Sequence, residues 1–592
     1  MNINKIRSII SDFRQILKFV EKKNKYKYFI LQFHIFFSSI LETLSIFSII
    51  PILESFNASS QNKTLKFLEN YIEFKYLSPS YLIIFFCLFL FLSKIYLILI
   101  KKKITNFSFE LMLELQKKIF QKAINRKYEY FINKDISFFN NMILHESHRL
   151  KSGFIESSLF ILSQILLVLF TLTGLLIYDF KVTILIIAVL ISFYLIYLLI
   201  VGNKLIRASK LNSEYKKNTI QYVNDIFSVI KTLVFKANKS KFYQKLEIIL
   251  QSNYKINAFE QIIRGIIKNL FEIYFLIIIV LIVLYKYSTI EVGNLISYGL
   301  FIFAAYKIIP SFHLIYTHIF SFLGSSNSLK VIIEELTNKN QYSENIVSNL
   351  RINSVSLSNV SFSYNKKINV LKNINYELKE NKIIGICGKS GSGKTTFIDI
   401  ISGLIEPTDG KILINGQSNK LNNEALISNS TYCSQKTILI DDTLKNNITL
   451  ETNNSDFNEK LLMKVIEIAE LNNFVKNLKN GIDTIIGQEG IRVSGGEAQR
   501  INIARTIFAN RKFVFFDESL NNLDMVTSKK ILNNLEKIVL GKTIFFITHD
   551  LRLLSNFEEI LIFDEGRMVD KGSFLELKEK SKVFLELLDK PL

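Results

Sequence analysis

The apolar residues of this 592-residue chain are gathered into long runs ahead of position 330. The runs fall at about 28–53, 80–100, 154–177, 183–201, 266–286 and 292–323. Each can cross a hydrocarbon core of roughly 30 Å at ~1.5 Å per helical residue. Residues 1–330 are therefore expected to form a membrane α-helical bundle of six transmembrane helices. The stretch 331–352, polar and including Asn338-Lys339-Asn340-Gln341, reads as a linker, and 353–592 as a soluble α/β domain.

Six crossings return the chain to its starting side. The segments 1–27, 101–153 and 202–265 are rich in Lys and Arg, whereas the turns near 178–182 and 287–291 are short and nearly neutral. The positive-inside rule then puts both termini in the cytoplasm of a bacterial-type cytoplasmic membrane. Much of the formal net charge of +21 lies beside the runs, as in Lys101, Lys102 and Lys103. Charge placed there sets topology and meets anionic lipid, and no nucleic-acid recognition signature accompanies it. The N-terminal run begins near Tyr28, is too long for a signal h-region and is not expected to be cleaved.

Helical periodicity continues through 101–153 and 202–265, so the membrane helices are expected to extend into the cytoplasm. Their tips, around Ile136 to Asn141 and Asp225 to Lys231, are the parts expected to touch the soluble domain. On the outer side, Leu65 to Ile72 reads as a short amphipathic helix. Cys87, Cys387 and Cys433 fit neither a metal site nor a disulfide framework.

In the soluble domain, Lys382 to Cys387 reads as a buried strand and Thr395 to Leu404 as a helix. Between them Gly388-Lys389-Ser390-Gly391-Ser392-Gly393-Lys394-Thr395 is a complete phosphate-binding loop, followed by Thr396. Backbone N–H groups and the helix N-terminus cradle phosphates there; Lys394 reaches the β- and γ-phosphates and Thr395 ligates Mg²⁺. Phe513 to Phe516 is a second apolar strand, ending in Asp517-Glu518. Asp517 is the expected Mg²⁺ carboxylate and Glu518 the base for the attacking water. Ser494-Gly495-Gly496-Glu497 opens another helix and forms a second anion-binding nest. One nucleotide has no use for two nests in one domain, so the second is expected to close over ATP held by a partner copy.

Taken together, these motifs resemble those of the ATP-binding cassette (ABC) family, with Val493 to Glu497 as its signature. The arrangement along the whole chain resembles an exporter half-transporter. The resemblance implies that Tyr364 stacks on adenine and that Gln435 contacts Mg²⁺ and senses the membrane domain. It also implies that Asp524 reaches across a dimer and that His549 contacts the γ-phosphate. Val493, Glu497 and Asp550 depart from the commonest exporter pattern, as does Gln488, in a segment tied to coupling. The partner implied is a second copy, with a heterodimer as the alternative, and the cofactors are ATP and Mg²⁺.

Short matches around Leu41-Glu42-Thr43, Ala304 to Ser311 and Ile226 to Lys231 resemble the subgroup that flips lipid-linked oligosaccharides. Ionisable residues inside the runs include Glu42, Lys94, Glu156, Glu272, Lys307 and His313. A cationic wall of Arg264, Lys268 and Lys307 suits an anionic head group. Pairing of these charges within the bundle is the competing reading. The function expected is ATP-driven export or flipping of an amphipathic substrate, a lipid-linked oligosaccharide or polysaccharide precursor. The alternatives are a peptide, lipid or small hydrophobic cargo, and a non-transporting ATPase or ATP-gated channel.

Overall fold

The computed structural model describes residues 3–588 except 56–78, 133, 135, 201, 236–238, 288–291, 338–351, 365–367, 419–421, 451–457, 488–490, 492 and 522. The amphipathic stretch Leu65 to Ile72 and the departure at Gln488 lie outside the described residues. Packing divides the chain into two compact units. One comprises 1–124 with 134–340, the other 125–133 with 341–592.

In the first unit, four helices among the described residues are long and apolar enough to cross a membrane: Lys22–Leu53, Ser80–Ile124, Phe138–Tyr178 and Gly299–Gly324. The other two expected crossings, 183–201 and 266–286, fall in helices Phe180–Ile200 and Ser240–Tyr287, whose side chains are described only in part. The first crossing is interrupted. Helix Lys22–Phe47 stops and Ile50–Ser55 follows it, because Pro51 has no N–H to offer and its ring clashes with the carbonyl four residues back, at Phe47. Helix Pro79–Ile124 runs unbroken through the basic stretch Lys101 to Lys103 and far past it, as the periodicity predicts. The expected linker is partly helical: Ser326–Thr337 buries Leu329, Ile332, Ile333 and Leu336, a spacing that lines one helical face.

The first tip is displaced from its expected position. Residues 125–133, rather than Ile136 to Asn141, belong to the second unit. There the short helix Tyr128–Ile132 is held by Glu406, which accepts from Lys127 Nζ at 2.9 Å and donates its backbone N–H to Glu129 Oε1 at 2.8 Å. Both contacts are polar pairings between residues 279 and 277 positions apart, which residue spacing along the chain does not show.

Among the described residues the second unit carries eleven strands: β1 (Val355–Phe362), β2 (Leu371–Glu377), β3 (Lys382–Gly388), β4 (Asp409–Ile414), β5 (Ser430–Cys433), β6 (Asp442–Thr443), β7 (Ile485–Ile486), β8 (Phe513–Asp517), β9 (Thr543–Ile547), β10 (Glu559–Asp564) and β11 (Arg567–Gly572). The main sheet has the order β11-β10-β3-β9-β8-β5 and is parallel apart from β11; β2-β1-β4 form an antiparallel sheet. Strands β8 and β9 are apolar on both faces because both faces are covered. Val514 and Phe516 enter one core, Phe513 and Phe515 the other. Phe516 stacks on Phe546 with centroids 4.4 Å apart. Each such ring contributes ~1.5–3 kcal/mol by burial. The consequence for chemistry is positional: β3, β8 and β9 are parallel neighbours or near neighbours, so their C-terminal ends share one edge, the edge where open α/β sheets bind ligands.

Candidate functional site: a nucleotide edge and a charged membrane cluster

β3 runs out at Gly388, and helix Lys394–Ile401 begins six residues later. Gly388 has φ +150° and the carbonyl oxygen of Phe563 lies where a Cβ would stand, at 2.1 Å. Only glycine fits there. Gly391 and Gly393 also have positive φ, and around Gly391 there is open space. Lys394 Nζ is folded back on the loop, donating to the carbonyls of Gly388 and Lys389 at 2.9 Å each. Burial lowers its pKa, opposed by the charges of Glu518 and Asp517. Ser392 Oγ is buried with no hydrogen-bond partner among the described residues. Such an orphan donor inside a glycine-rich loop fits a phosphate oxygen. Lys389 and Ser390 are exposed, Thr395 is exposed beside them, and Thr396 Oγ1 lies 3.2 Å from Tyr364 Oη. Tyr364 is half exposed and meets Phe362 edge-on, so its outer face is accessible.

At the end of β8, Asp517 Oδ2 accepts from Thr395 Oγ1 at 3.3 Å and from Tyr432 Oη at 2.8 Å. Burial, then the Glu518 charge, pushes the Asp517 carboxyl up, while those two hydroxyls pull it back. Glu518 has φ +49°, the left-handed region that a glutamate enters only under constraint. Its Oε2 accepts from Gln435 Nε2 at 2.6 Å and from Asn521 Nδ2 at 3.2 Å; its Oε1 lies 3.0 Å from His549 Nε2. Gln435 thus rests on the expected base. Thr395 and Asp517 bring oxygen donors together, with Gln435 held on the adjacent Glu518, and among the described residues no cluster of three or more His, Cys, Asp or Glu forms. Such a donor set suits Mg²⁺, which keeps its waters and takes one or two carboxylates plus phosphate oxygens.

The signature helix Gly495–Phe508 opens with a capping box: Ser494 N and Oγ both donate to Glu497 Oε2, and Glu497 N donates to Ser494 Oγ. Gly495 is exposed and Gly496 half exposed. Asp524 caps the next helix, accepting from Thr527 N at 2.9 Å; the hydrogen bonds from Thr527, its side chain first and then this N–H, hold the carboxyl below the usual range.

The ABC transporter transmembrane region family matches residues 28–312, and the ABC transporter family matches 371–521. The chain belongs to the ABC transporters. It is an exporter half-transporter, with membrane region and cassette fused, and an ATPase coupled to transport. Among its relatives is the heterocyst differentiation ATP-binding protein HepA of Nostoc sp., 27% identical over 79% of this chain and 77% of that protein. Another is the ATP-dependent lipid A-core flippase of Syntrophus aciditrophicus, 33% identical over 37% of this chain and 36% of that protein. The structure of a bacterial Atm1-family ABC exporter with ATP bound shares the fold: TM-score 0.76, 18% identity, 95% of this chain and 99% of that one.

In the membrane unit of this half-transporter, Lys307 does not stand alone. Lys94 Nζ donates to Glu42 Oε1, and Lys307 Nζ lies 3.6 Å from the same oxygen. One carboxylate thus meets two cations, so pairing within the bundle leaves the cluster with one positive charge in excess. The side chains of Arg264 and Lys268 lie outside the described residues.

Two residues at the ABC cassette's nucleotide edge carried no motif and were missed, Tyr432 and Asp399; Asn521 was seen only as the start of the match that ends at Asp524, not as a partner of Glu518. Tyr432 offered a weak signal, three positions before Gln435. Asp399 is buried on the helix after the phosphate loop; burial, then the Asp517 charge, pushes its carboxyl up to about 7. Its folded pKa thus exceeds the unfolded value of ~3.9, so the folded state binds the proton more tightly. Its stabilising contribution is present at low pH and is lost as pH rises from about 4 through 7. Asp399→Asn is expected to raise Tm at pH 8 by about 2–4 °C and to flatten the decline between about pH 4 and pH 7. Thermal unfolding of the nucleotide-free full chain reads this directly; an unchanged pH trend in the variant refutes it.

Proposed function

We propose that two copies of this chain form a homodimer in a cytoplasmic membrane, both termini cytoplasmic, and flip a lipid-linked oligosaccharide or polysaccharide precursor by alternating access. Within each copy Lys394 binds the β- and γ-phosphates, Ser392 and the loop N–H groups hold their oxygens, and Tyr364 offers its free face to adenine. Thr395, Asp517 and Gln435 are the residues that would hold Mg²⁺, which neutralises phosphate charge when bound. Glu518 takes the proton of the attacking water, and His549, 3.0 Å away, orients that carboxylate and then the γ-phosphate. Ser494, Gly495 and Gly496 close over the partner's ATP once Ser494 releases Glu497, and Asp524 reaches across the same interface. The second tip supports the pairing: Phe227, Val234 and Phe235 are exposed there, Phe235 at 92%, an apolar surface suited to burial against a second cassette.

The observation that carries the cargo reading is the Glu42, Lys94 and Lys307 cluster, two cations on one carboxylate. An uncompensated positive charge at membrane depth is expensive and marks a functional site; a phosphate or pyrophosphate linking lipid to glycan compensates it. The relatives named lipid A-core flippases support a lipid cargo over a peptide. In proteoliposomes, ATPase activity is expected to be stimulated by lipid-pyrophosphate glycans. Lys307→Gln is expected to raise the half-stimulating glycan concentration ~10-fold, the loss of one charge-assisted contact, with basal ATPase unchanged. Stimulation by peptides alone moves the assignment to peptide export.

A further inference from the structure

The segment from Tyr432 to Gln435 meets the catalytic edge twice. Tyr432 Oη donates to Asp517 and Gln435 Nε2 donates to Glu518, two consecutive carboxylates held by two residues three apart. The register explains the first contact. β5 runs parallel to β8 with Tyr432 beside Phe515 and Cys433 beside Phe516. Side chains alternate faces along a strand, so Tyr432, Phe515 and Asp517 share one face. The ring of Tyr432 packs against the core containing Phe515, and its hydroxyl extends past Phe515 to the carboxylate two residues on. Position 432 is the last of its face before the strand ends at Cys433.

Thr395 also donates to Asp517 Oδ2, at 3.3 Å, but in the proposed site its oxygen is required by the metal. The phenol has no such second duty. We infer that Tyr432 is a positioning residue for the Mg²⁺ site, its hydroxyl fixing Asp517 Oδ2 so that the carboxylate presents Oδ1 in one rotamer. The inference rests on the reading of Asp517 as the metal carboxylate. Because the same segment carries Gln435, the grip also anchors the root of the loop that rests on Glu518. Further along, Ser434 O accepts from Asn502 and Thr437 donates to Gln499, tying the segment to the signature helix. Tyr432 is thus the point at which this segment is fastened to the metal side.

Tyr432→Phe keeps the packed ring and removes one hydroxyl. In the full-length protein, binding of a fluorescent ATP analogue is titrated with Mg²⁺, and again in EDTA. The half-saturating Mg²⁺ concentration is expected to rise about tenfold, the loss of one hydrogen bond to a charged group. Binding in EDTA and the nucleotide-free Tm are expected to stay as in the parent. In an Asp517→Asn background the same substitution should add nothing, since the pair acts as a unit. If Asp517→Asn raises the Mg²⁺ requirement and Tyr432→Phe leaves it within twofold, the tyrosine is core packing and the inference falls. If Asp517→Asn itself leaves the requirement unchanged, the reading of Asp517 falls and takes the inference with it.

Discussion

Glu518→Gln is expected to reduce ATP hydrolysis by roughly 10²–10⁴-fold while leaving ATP binding intact. The amide has the shape of the carboxylate and can still meet Gln435, Asn521 and His549, but it cannot take a proton from water. It also removes a negative charge from the place where the γ-phosphate arrives, so the closed, ATP-bound dimer should be favoured as well as unable to turn over. Phosphate release measures the first effect. Cross-linking between cassettes at saturating ATP measures the second. Turnover within threefold of the parent would overturn the assignment of the base and transfer attention to His549, whose Nε2 is 3.0 Å from Glu518 Oε1.

Lys394→Ala is expected to act one step earlier. The ammonium lies on the phosphate loop between the carbonyls of Gly388 and Lys389, ready to exchange them for phosphate oxygens. Burial already disfavours its charge in the absence of nucleotide, so ATP, not the resting protein, gains from its presence. Charge-assisted hydrogen bonds are worth ~1.5–3 kcal/mol each, and loss of one or two corresponds to a weakening of ATP binding by about 10–100-fold or more. The neighbouring fold should tolerate the change, since those two carbonyls can be met by water. Equilibrium binding together with nucleotide-free thermal unfolding separates the outcomes: an unchanged Kd refutes the role, and a lost Tm without a binding defect assigns Lys394 to stability.

The two variants probe parts of the site that were readable from sequence for the same reason. The phosphate loop, Asp517-Glu518 and Ser494 to Glu497 are contiguous stretches whose chemistry follows from spacing, and glycines such as Gly388 fill positions where a Cβ meets the Phe563 carbonyl. Less legible were features set by pairing across distance. Nothing in the spacing of Tyr432 and Asp517 reveals that β5 lies beside β8. Nor could sequence show that Glu42 meets both Lys94 and Lys307, because three helices must converge to bring them together. The contacts of Lys127 and Glu129 with Glu406 are of the same kind, made between residues far apart in the chain. Apolarity gave six runs, whereas four helices among the described residues satisfy length and composition together. Ser494 to Glu497 was read as an anion-binding nest, and the capping box shows the serine hydroxyl donating to Glu497, a pairing within the motif that the nest reading did not include.

Glu518 carries a further consequence through its backbone. A left-handed conformation at a non-glycine residue costs about 1–2 kcal/mol, and it is held by the N–H of Glu518 donating to the Ile547 carbonyl and by Asn521 N–H donating back to the Glu518 carbonyl. The side chain on which hydrolysis depends therefore stands where the chain itself would sooner have glycine. Durability and turnover pull in opposite directions at this one position. A cassette selected only to endure would drift away from glutamate, and the presence of glutamate records that this engine is kept for its work rather than for its toughness.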